Sequence, residues 1–245
     1  MAGTIITGAA SGIGRACARA LAAQGRSVAL WDVSTEVEAV ADELGAPSAV
    51  LDVRDADATA AAIESAAADC DGLDGLVHAA GIANPEPAGY ITHDGWDAVL
   101  AVNVTAHAFL VQRMLPHLQV SAQAGRGPSV VAIASIEGLV ANPFIPAYCT
   151  SKAGLLGLTR ALAAQLGPEG IRVNAVCPGF IRTPLIQMAL DIDEIREGYE
   201  QAAPLRRMGE PEEVADAVAF LMSQRASFIT GSHLVIDGGL VARHE

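Results

Sequence analysis

Tyr148 and Lys152 stand four residues apart in a stretch of helical period, Ala147 to Leu166, so their side chains should share a face. A phenol with a reference pKa of about 10 is a poor base near neutrality, and a nearby ammonium favours its ionised form. Lowering it by two or three units needs about 3 to 4 kcal/mol, roughly the Coulomb energy of unit charges about 4 Å apart at an effective dielectric near 20. Such a pair can exchange a proton with an alcohol or carbonyl oxygen. The same spacing also occurs on solvated helix faces, so the pair alone decides nothing.

A second chemistry lies near the N-terminus. After the apolar run Thr4 to Thr7 come Gly8, Ala9, Ala10, Ser11, Gly12, Ile13 and Gly14, then an Ala-rich amphipathic segment. Glycine permits close approach, so amides at a helix start can meet a pyrophosphate there. Asp32 ends the next apolar run, 24 residues beyond Gly8. That is near the offset of about 20 at which an acid hydrogen-bonds a dinucleotide's ribose. A carboxylate accepts from ribose hydroxyls but repels a 2′-phosphate, and Val33 and Ser34 supply no cation, so NAD is expected over NADP. Asp52 can accept from an adenine amino group with Val53 beside it, or simply form a turn.

The elements that must position these residues follow from the apolar pattern. Val/Ile-rich runs at Thr4 to Thr7, Val28 to Asp32, Ala49 to Val53, Gly75 to Ala79, Ser129 to Ala134, Ile171 to Val176 and His233 to Ile236 lack polar alternation, as strands buried on both faces do. Helical segments at Gly12 to Gln24, Asp55 to Asp69, Gly95 to Leu118, Ala147 to Leu166 and Pro211 to Ser223 alternate with them. This order predicts an α/β Rossmann fold, a doubly wound seven-stranded parallel sheet with helices on both faces. At 245 residues, one domain spanning 1–245 is expected.

Several short motifs occur in one order. Thr7 to Gly14 read TGAASGIG, His78 to Gly81 read HAAG, Asn103 lies in LAVNV, Ser135 in IASIEG, Tyr148 to Lys152 in YCTSK, and Pro178 to Thr183 read PGFIRT. In this the chain resembles the short-chain dehydrogenase/reductase family over nearly its full length. The resemblance implies that Tyr148 is the acid/base, and that Lys152 holds nicotinamide-ribose hydroxyls and lowers the phenol pKa. It implies that Ser135 binds the substrate oxygen and that Asn103 binds a water continuing a proton relay. Cofactor contacts are implied for Gly8, Ser11, Gly12, Ile13, Gly14, Asp32, Asp52, Val53, Ala80, Gly81, Tyr148, Lys152, Pro178, Gly179, Ile181 and Thr183, with a substrate lid near 183–204. The resulting expectation is hydride transfer between NAD(H) and a secondary alcohol or ketone. The alternatives are an NADP-dependent 3-oxoacyl carrier-protein reductase, suggested by PLRRMGEPEEVA and ITGSHLVIDGG, and a non-catalytic dinucleotide sensor. Family members usually form dimers or tetramers through the helices bearing Asn103 and Tyr148, so a homotetramer is expected.

His78 stands where the family usually has Asn; a bracing role is expected of its ring rather than acid catalysis. Arg15 reads as a helix-face residue and Cys149 as a packing thiol rather than a redox switch. The lid segment offers Phe180, Leu185, Ile186, Met188 and Leu190, with Ile136, Leu139, Val140 and Phe144 as possible neighbours, which suggests a small-molecule substrate with an apolar body. Glu137, Asp191 and Glu194 leave a polyol open, and Arg182, Arg206 and Arg207 are the candidate counterions for an acid. A formal net charge of −13 disfavours nucleic acid and anionic membranes. The four cysteines form no CxxC pair and the six histidines no HExxH pattern, so no catalytic metal is indicated. No basic or long apolar leader opens the chain, and a cytoplasmic protein is expected.

Overall fold

Seven apolar runs become seven strands of one sheet in a computed structural model that describes residues 2–242. They are β1 (Gly3–Thr7), β2 (Ser27–Asp32), β3 (Ser48–Val50), β4 (Leu73–His78), β5 (Ser129–Ile133), β6 (Arg172–Pro178) and β7 (His233–Ile236). Every neighbouring pair is parallel, in the order β3-β2-β1-β4-β5-β6-β7. The strand order reverses between β1 and β4, which opens a crevice at their carboxyl ends, where such sheets bind ligands.

Alternate residues of the strands feed two cores. Ile6, Leu30, Val77, Val131 and Val176 pack with α1 (Gly12–Ala23), α2 (Glu36–Leu44) and α9 (Pro211–Met222) on one face. Ile5, Trp31, Leu76, Val130 and Val173 pack on the other with α3 (Ala56–Asp69), α5 (Ala106–Gln123) and α6 (Pro146–Leu166). The remaining helices are α4 (His93–Leu100), which precedes α5, and α7 (Gln187–Leu190) and α8 (Asp193–Ala202), which follow β6.

Several elements depart from the sequence expectation, among them α7 and α8, which lie in the segment expected as a substrate lid. α2 was not foreseen; it has only nine residues, of which Val37, Val40 and Ala41 are buried. The single helix expected from Gly95 to Leu118 begins at His93, ends at Gln123 and is interrupted by a π turn over Ala101–Thr105. β3 stops at Val50, which leaves Asp52 and Val53 in the loop beyond it. By length and composition alone His93–Gln123 could cross a membrane. Its apolar residues Leu110, Val111, Met114 and Leu118 are instead core, at 0–2% exposure.

Two buried histidines join the sheet to this interrupted helix. His78 ends β4, and its hydrogen bonds assign a neutral tautomer. The Thr7 hydroxyl donates to Nδ1 at 3.1 Å, Nε2 donates to the Val102 carbonyl at 3.2 Å, and Thr7 Oγ1 accepts the Ala80 amide. This is the brace expected at that position. His107 of α5 lies beside it with ring centroids 5.1 Å apart, and neither of its ring nitrogens has a hydrogen-bond partner among the described residues. Burial and the Lys152 charge hold His107 down at about 4, and burial, His107 and Lys152 hold His78 well below the usual imidazole value.

A histidine kept neutral by folding favours the native state fully above its unfolded pKa, near 6.5. That contribution drains away as pH falls from there toward the folded value of about 4. A gap of this size corresponds to about 3 kcal/mol for His107 alone. Urea titrations should therefore show stability falling steeply between pH 6.5 and 4.5. His107→Leu removes no hydrogen bond and should flatten that slope without loss at pH 7.5. An unchanged acid slope in the variant would contradict this account.

Candidate active site

The crevice at the strand ends is a cleft of about 490 Å³. Its floor is the turn between β1 and α1. Gly8 takes φ +68°, and a Cβ there would stand 2.8 Å from the backbone of Ala79 and Ala80; a Cβ on Gly14 would overlap the Gly8 carbonyl. Glycine at both positions lets α1 begin directly against β4. Ser11 is extended at the N-cap, yet its hydroxyl takes none of the first amides of α1. Uncapped amides and the positive end of a twelve-residue helix thus face the cleft, a fit for a pyrophosphate.

At the end of β2, Asp32 accepts the Ala10 amide on Oδ2 and the Ser34 amide on Oδ1, each at 3.0 Å. Each oxygen keeps a further lone pair for a ligand hydroxyl. Asp52 lines the same end but is clasped by Arg54, with contacts of 2.6 to 3.0 Å, and the guanidinium holds its carboxyl below the usual range. Gly8, Ser11, Gly12, Ile13, Gly14, Asp32, Asp52, Val53, Ala80, Gly81, Pro178, Gly179, Ile181 and Thr183 all line the cleft. Arg15 lies outside the lining, as a helix-face residue would. Thr183 closes over the turn, its methyl 3.2 Å from where a Gly12 Cβ would stand.

Ser135, Tyr148 and Lys152 line the other end. Ser135 follows β5, and its Oγ accepts the Glu137 amide at 3.1 Å, which leaves its hydroxyl proton free for the cleft. Lys152 is 4% exposed; Nζ donates to the Ile133 carbonyl at 2.7 Å and lies 5.3 Å from the Tyr148 ring centre. Burial lowers its pKa to about 8. The expected lowering of Tyr148 is not the net result. Burial pushes the phenol up to about 12, and the protein group pulling it back is the Ser135 hydroxyl rather than Lys152. The sequence showed the lysine's spacing but not the apolar surroundings that outweigh it.

Asn103 does not line the cleft. It sits in the π turn at 0% exposure, where Oδ1 accepts the Ile82 amide at 2.9 Å and Nδ2 donates to the Ile82 carbonyl and to Ser151 Oγ. Both amide protons are spent on this clamp, so a relay water has only a remaining lone pair of Oδ1 to bind on this side chain. Gly81 keeps the space between Asn103 and Lys152 open: a Cβ there would lie 3.4 Å from both Oδ1 and Nζ.

Of the proposed substrate-side residues, Ile136, Glu137, Phe180, Leu185 and Ile186 line the cleft. Leu139, Val140, Phe144 and Met188 point outward, and Met188 is 88% exposed. Arg182 pairs with Glu200 and Glu210, and Arg207 with Glu213, so neither of these candidate counterions reaches the substrate end. Asn142, Ile145 and Tyr199 also line the cleft, and their positions in the sequence carry no signal of it. Tyr199 comes from α8 and stacks on Phe180 at 3.9 Å, pinning the segment after β6 across the cleft. Nothing local marks that pairing, apart from an aromatic in a largely polar helix.

Known proteins resemble this chain over nearly its full length. A family profile described as enoyl-(acyl carrier protein) reductase matches residues 8–241. The cis-4-hydroxycyclohexanecarboxylate dehydrogenase of Sinomonas cyclohexanicum is 41% identical over 244 residues, covering 97% of this chain and 96% of the relative. The 3-oxoacyl-(acyl-carrier-protein) reductase FabG of Thermotoga maritima is 37% identical over 97% of this chain and 96% of its own. Among solved structures, the ligand-free aldohexose dehydrogenase of Thermoplasma acidophilum superposes with a TM-score of 0.91 at 32% identity, covering 99% of this chain and 95% of that one. With the fold, the glycine turn and the Ser135, Tyr148 and Lys152 cluster in the order the motifs require, the chain belongs to the short-chain dehydrogenase/reductase family of oxidoreductases.

Proposed function

We propose that the protein is an NAD-dependent dehydrogenase/reductase that interconverts a secondary alcohol and its ketone, with Tyr148 as the acid/base. The observation that carries this reading is one cleft with two ends: uncapped α1 amides and Asp32 at one, Ser135, Tyr148 and Lys152 at the other. Bound NAD supplies the hydride acceptor. In oxidation, Tyr148 as phenolate takes the substrate's hydroxyl proton while the Ser135 hydroxyl, oriented by its bond from Glu137, donates to the same oxygen. Because burial raises the phenol to about 12, positive charge must bring it into range. Lys152 and an oxidised nicotinamide ring provide that charge, and Lys152 retains two protons for ribose hydroxyls after its bond to Ile133. The proton taken from the substrate ends on Tyr148.

Asp32 supports NAD. A 2′-phosphate would meet a carboxylate there, and Arg54, the nearby guanidinium in the lining, is already committed to Asp52. The resemblance to carrier-protein reductases favours NADP instead, and titration separates the two. NAD should bind at least tenfold tighter than NADP, and Asp32→Ala should narrow the ratio; an NADP preference in the parent protein reverses the assignment. Tyr148→Phe should lower turnover by on the order of 10²- to 10⁴-fold while the NADH dissociation constant stays within about threefold. Comparable turnover in that variant removes Tyr148 as the acid/base.

The protein is further proposed to be a cytoplasmic homotetramer. Phe109 and Val120 are exposed on α5, Phe228 is fully exposed, and Leu234 is 41% exposed on the edge strand β7, so apolar surface lies on two separate sides. Light scattering should give four times the 25.1 kDa chain mass, with Phe228→Asp reducing it. A monomeric parent overturns this expectation.

A further inference from the structure

The substrate end of the cleft holds a carboxylate that the proton transfer does not use. Glu137 lies two residues after Ser135 on the turn Ile136–Gly138, which is fastened on both sides. The Glu137 amide is bound by Ser135 Oγ, and the Gly138 amide by the Ser135 carbonyl at 3.0 Å. Gly138 is pressed so closely on α6 that a Cβ there would stand 2.8 Å from the Lys152 backbone. The backbone that carries the carboxylate is therefore held at a set place against α6.

Its own partners leave it under-supplied. Oε1 accepts Asn142 Nδ2 at 3.0 Å, and Asn142 is oriented by the Phe144 amide, which donates to its Oδ1 at 3.1 Å. Oε2 has only the thiol of Cys149, a weak donor, at 3.9 Å. Glu137 forms no ion pair among the described residues, and burial pushes its carboxyl above the usual range. The Tyr199 phenol lies within its field, raised by burial and by Glu137. Ile136, Ile145, Phe180, Leu185 and Ile186 supply an apolar surround. A half-buried carboxylate with unused lone pairs and no counterion stabilises a ligand that donates a hydrogen bond and repels one that carries negative charge.

We propose that Glu137 is a specificity residue that selects uncharged alcohols bearing a second hydrogen-bond donor, a hydroxyl or amide N–H, on a compact apolar body, and excludes alcohols bearing a carboxylate. This rests on the alcohol-oxidising reading of the same cleft. It also gives Cys149 and Asn142 a role, since both hold the carboxylate in place. Sites that hydrogen-bond a substrate group reject analogues that leave the partner unpaired far more strongly than apolar pockets reject a change of size.

A pair of near-identical shape tests the proposal: cis-4-hydroxycyclohexanecarboxamide against cis-4-hydroxycyclohexanecarboxylate, at pH 8, where the acid is ionised. Dissociation constants are measured on the NADH-bound protein, and kcat/KM with NAD. The carboxamide should bind at least tenfold tighter. Glu137→Gln should bring the two within about threefold, chiefly by improving the carboxylate, and Glu137→Asp should retain part of the preference. Equal binding in the parent, a carboxylate preference, no binding of the carboxamide, or an unchanged ratio in Glu137→Gln each overturns the proposal. Because binding is read without turnover, the two failures separate. Sorting of the pair with oxidation of neither contradicts the dehydrogenase reading, whereas equal turnover of both contradicts the role of Glu137 alone.

Discussion

The ammonium of Lys152, 4% exposed and tied to the Ile133 carbonyl at the end of β5, is the charge around which the reactive half of this protein is arranged. Desolvating a lysine lowers its pKa, here to about 8, and a single carbonyl offsets little of that cost. The neighbours accommodate the charge in two ways. His78 and His107 stay neutral, each partly because Lys152 is there, and Gly81 omits the side chain that would fill the gap between Nζ and Asn103. Tyr148 shares the same burial, which raises its phenol. Burial thus favours the neutral phenol of Tyr148, and positive charge entering beside it favours the phenolate.

The backbone around this charge is equally constrained. The π turn at Ala101–Thr105 lies between α4 and α5, and from it the Asn103 amide clasps both polar groups of Ile82 while the Val102 carbonyl receives His78. Through Thr7 and Ala80 the same network reaches β1 and the cofactor turn. A set of buried and part-buried hydrogen bonds therefore crosses the switch point between β1 and β4 beside the cofactor turn. His107 lies against this network without a hydrogen bond of its own, and its acid penalty comes from charging a buried ring beside Lys152.

How much of this could be read in the sequence depends on whether the cause was local. Seven apolar runs identified seven strands because burial on both faces leaves a simple pattern. The glycine turn, Asp32, Ser135, Tyr148 and Lys152 were legible because their chemistry requires those types at those spacings. α2 escaped because nine residues with four acidic ones, held by three buried side chains, carry little periodic signal. The π turn escaped because inserting one residue per turn leaves composition unchanged. Asn142, Ile145 and Tyr199 reach the cleft through loop paths and a stack on Phe180, which only the folded chain creates. The burial that raises Tyr148 is hidden for a similar reason: a spacing reports a neighbour, but not the loss of water around both.

A chain with net charge −13 is nonetheless suited to a cofactor whose pyrophosphate is anionic, because the charge and the binding field lie on different length scales. Surface carboxylates are screened within about 8 Å at physiological ionic strength, whereas the α1 amides act at hydrogen-bond distance inside a sheltered cleft. Uncharged N–H groups can hold phosphate oxygens there without a cation that would also invite a 2′-phosphate or an acidic substrate. The same economy recurs at the other end. The guanidinium groups of Arg54, Arg182 and Arg207 are each neutralised by a carboxylate, so the fields left acting on ligands are those of the α1 amides, Asp32, Lys152 and Glu137. Selectivity then follows from which fields are left uncompensated, and the overall acidity of the chain has little part in it.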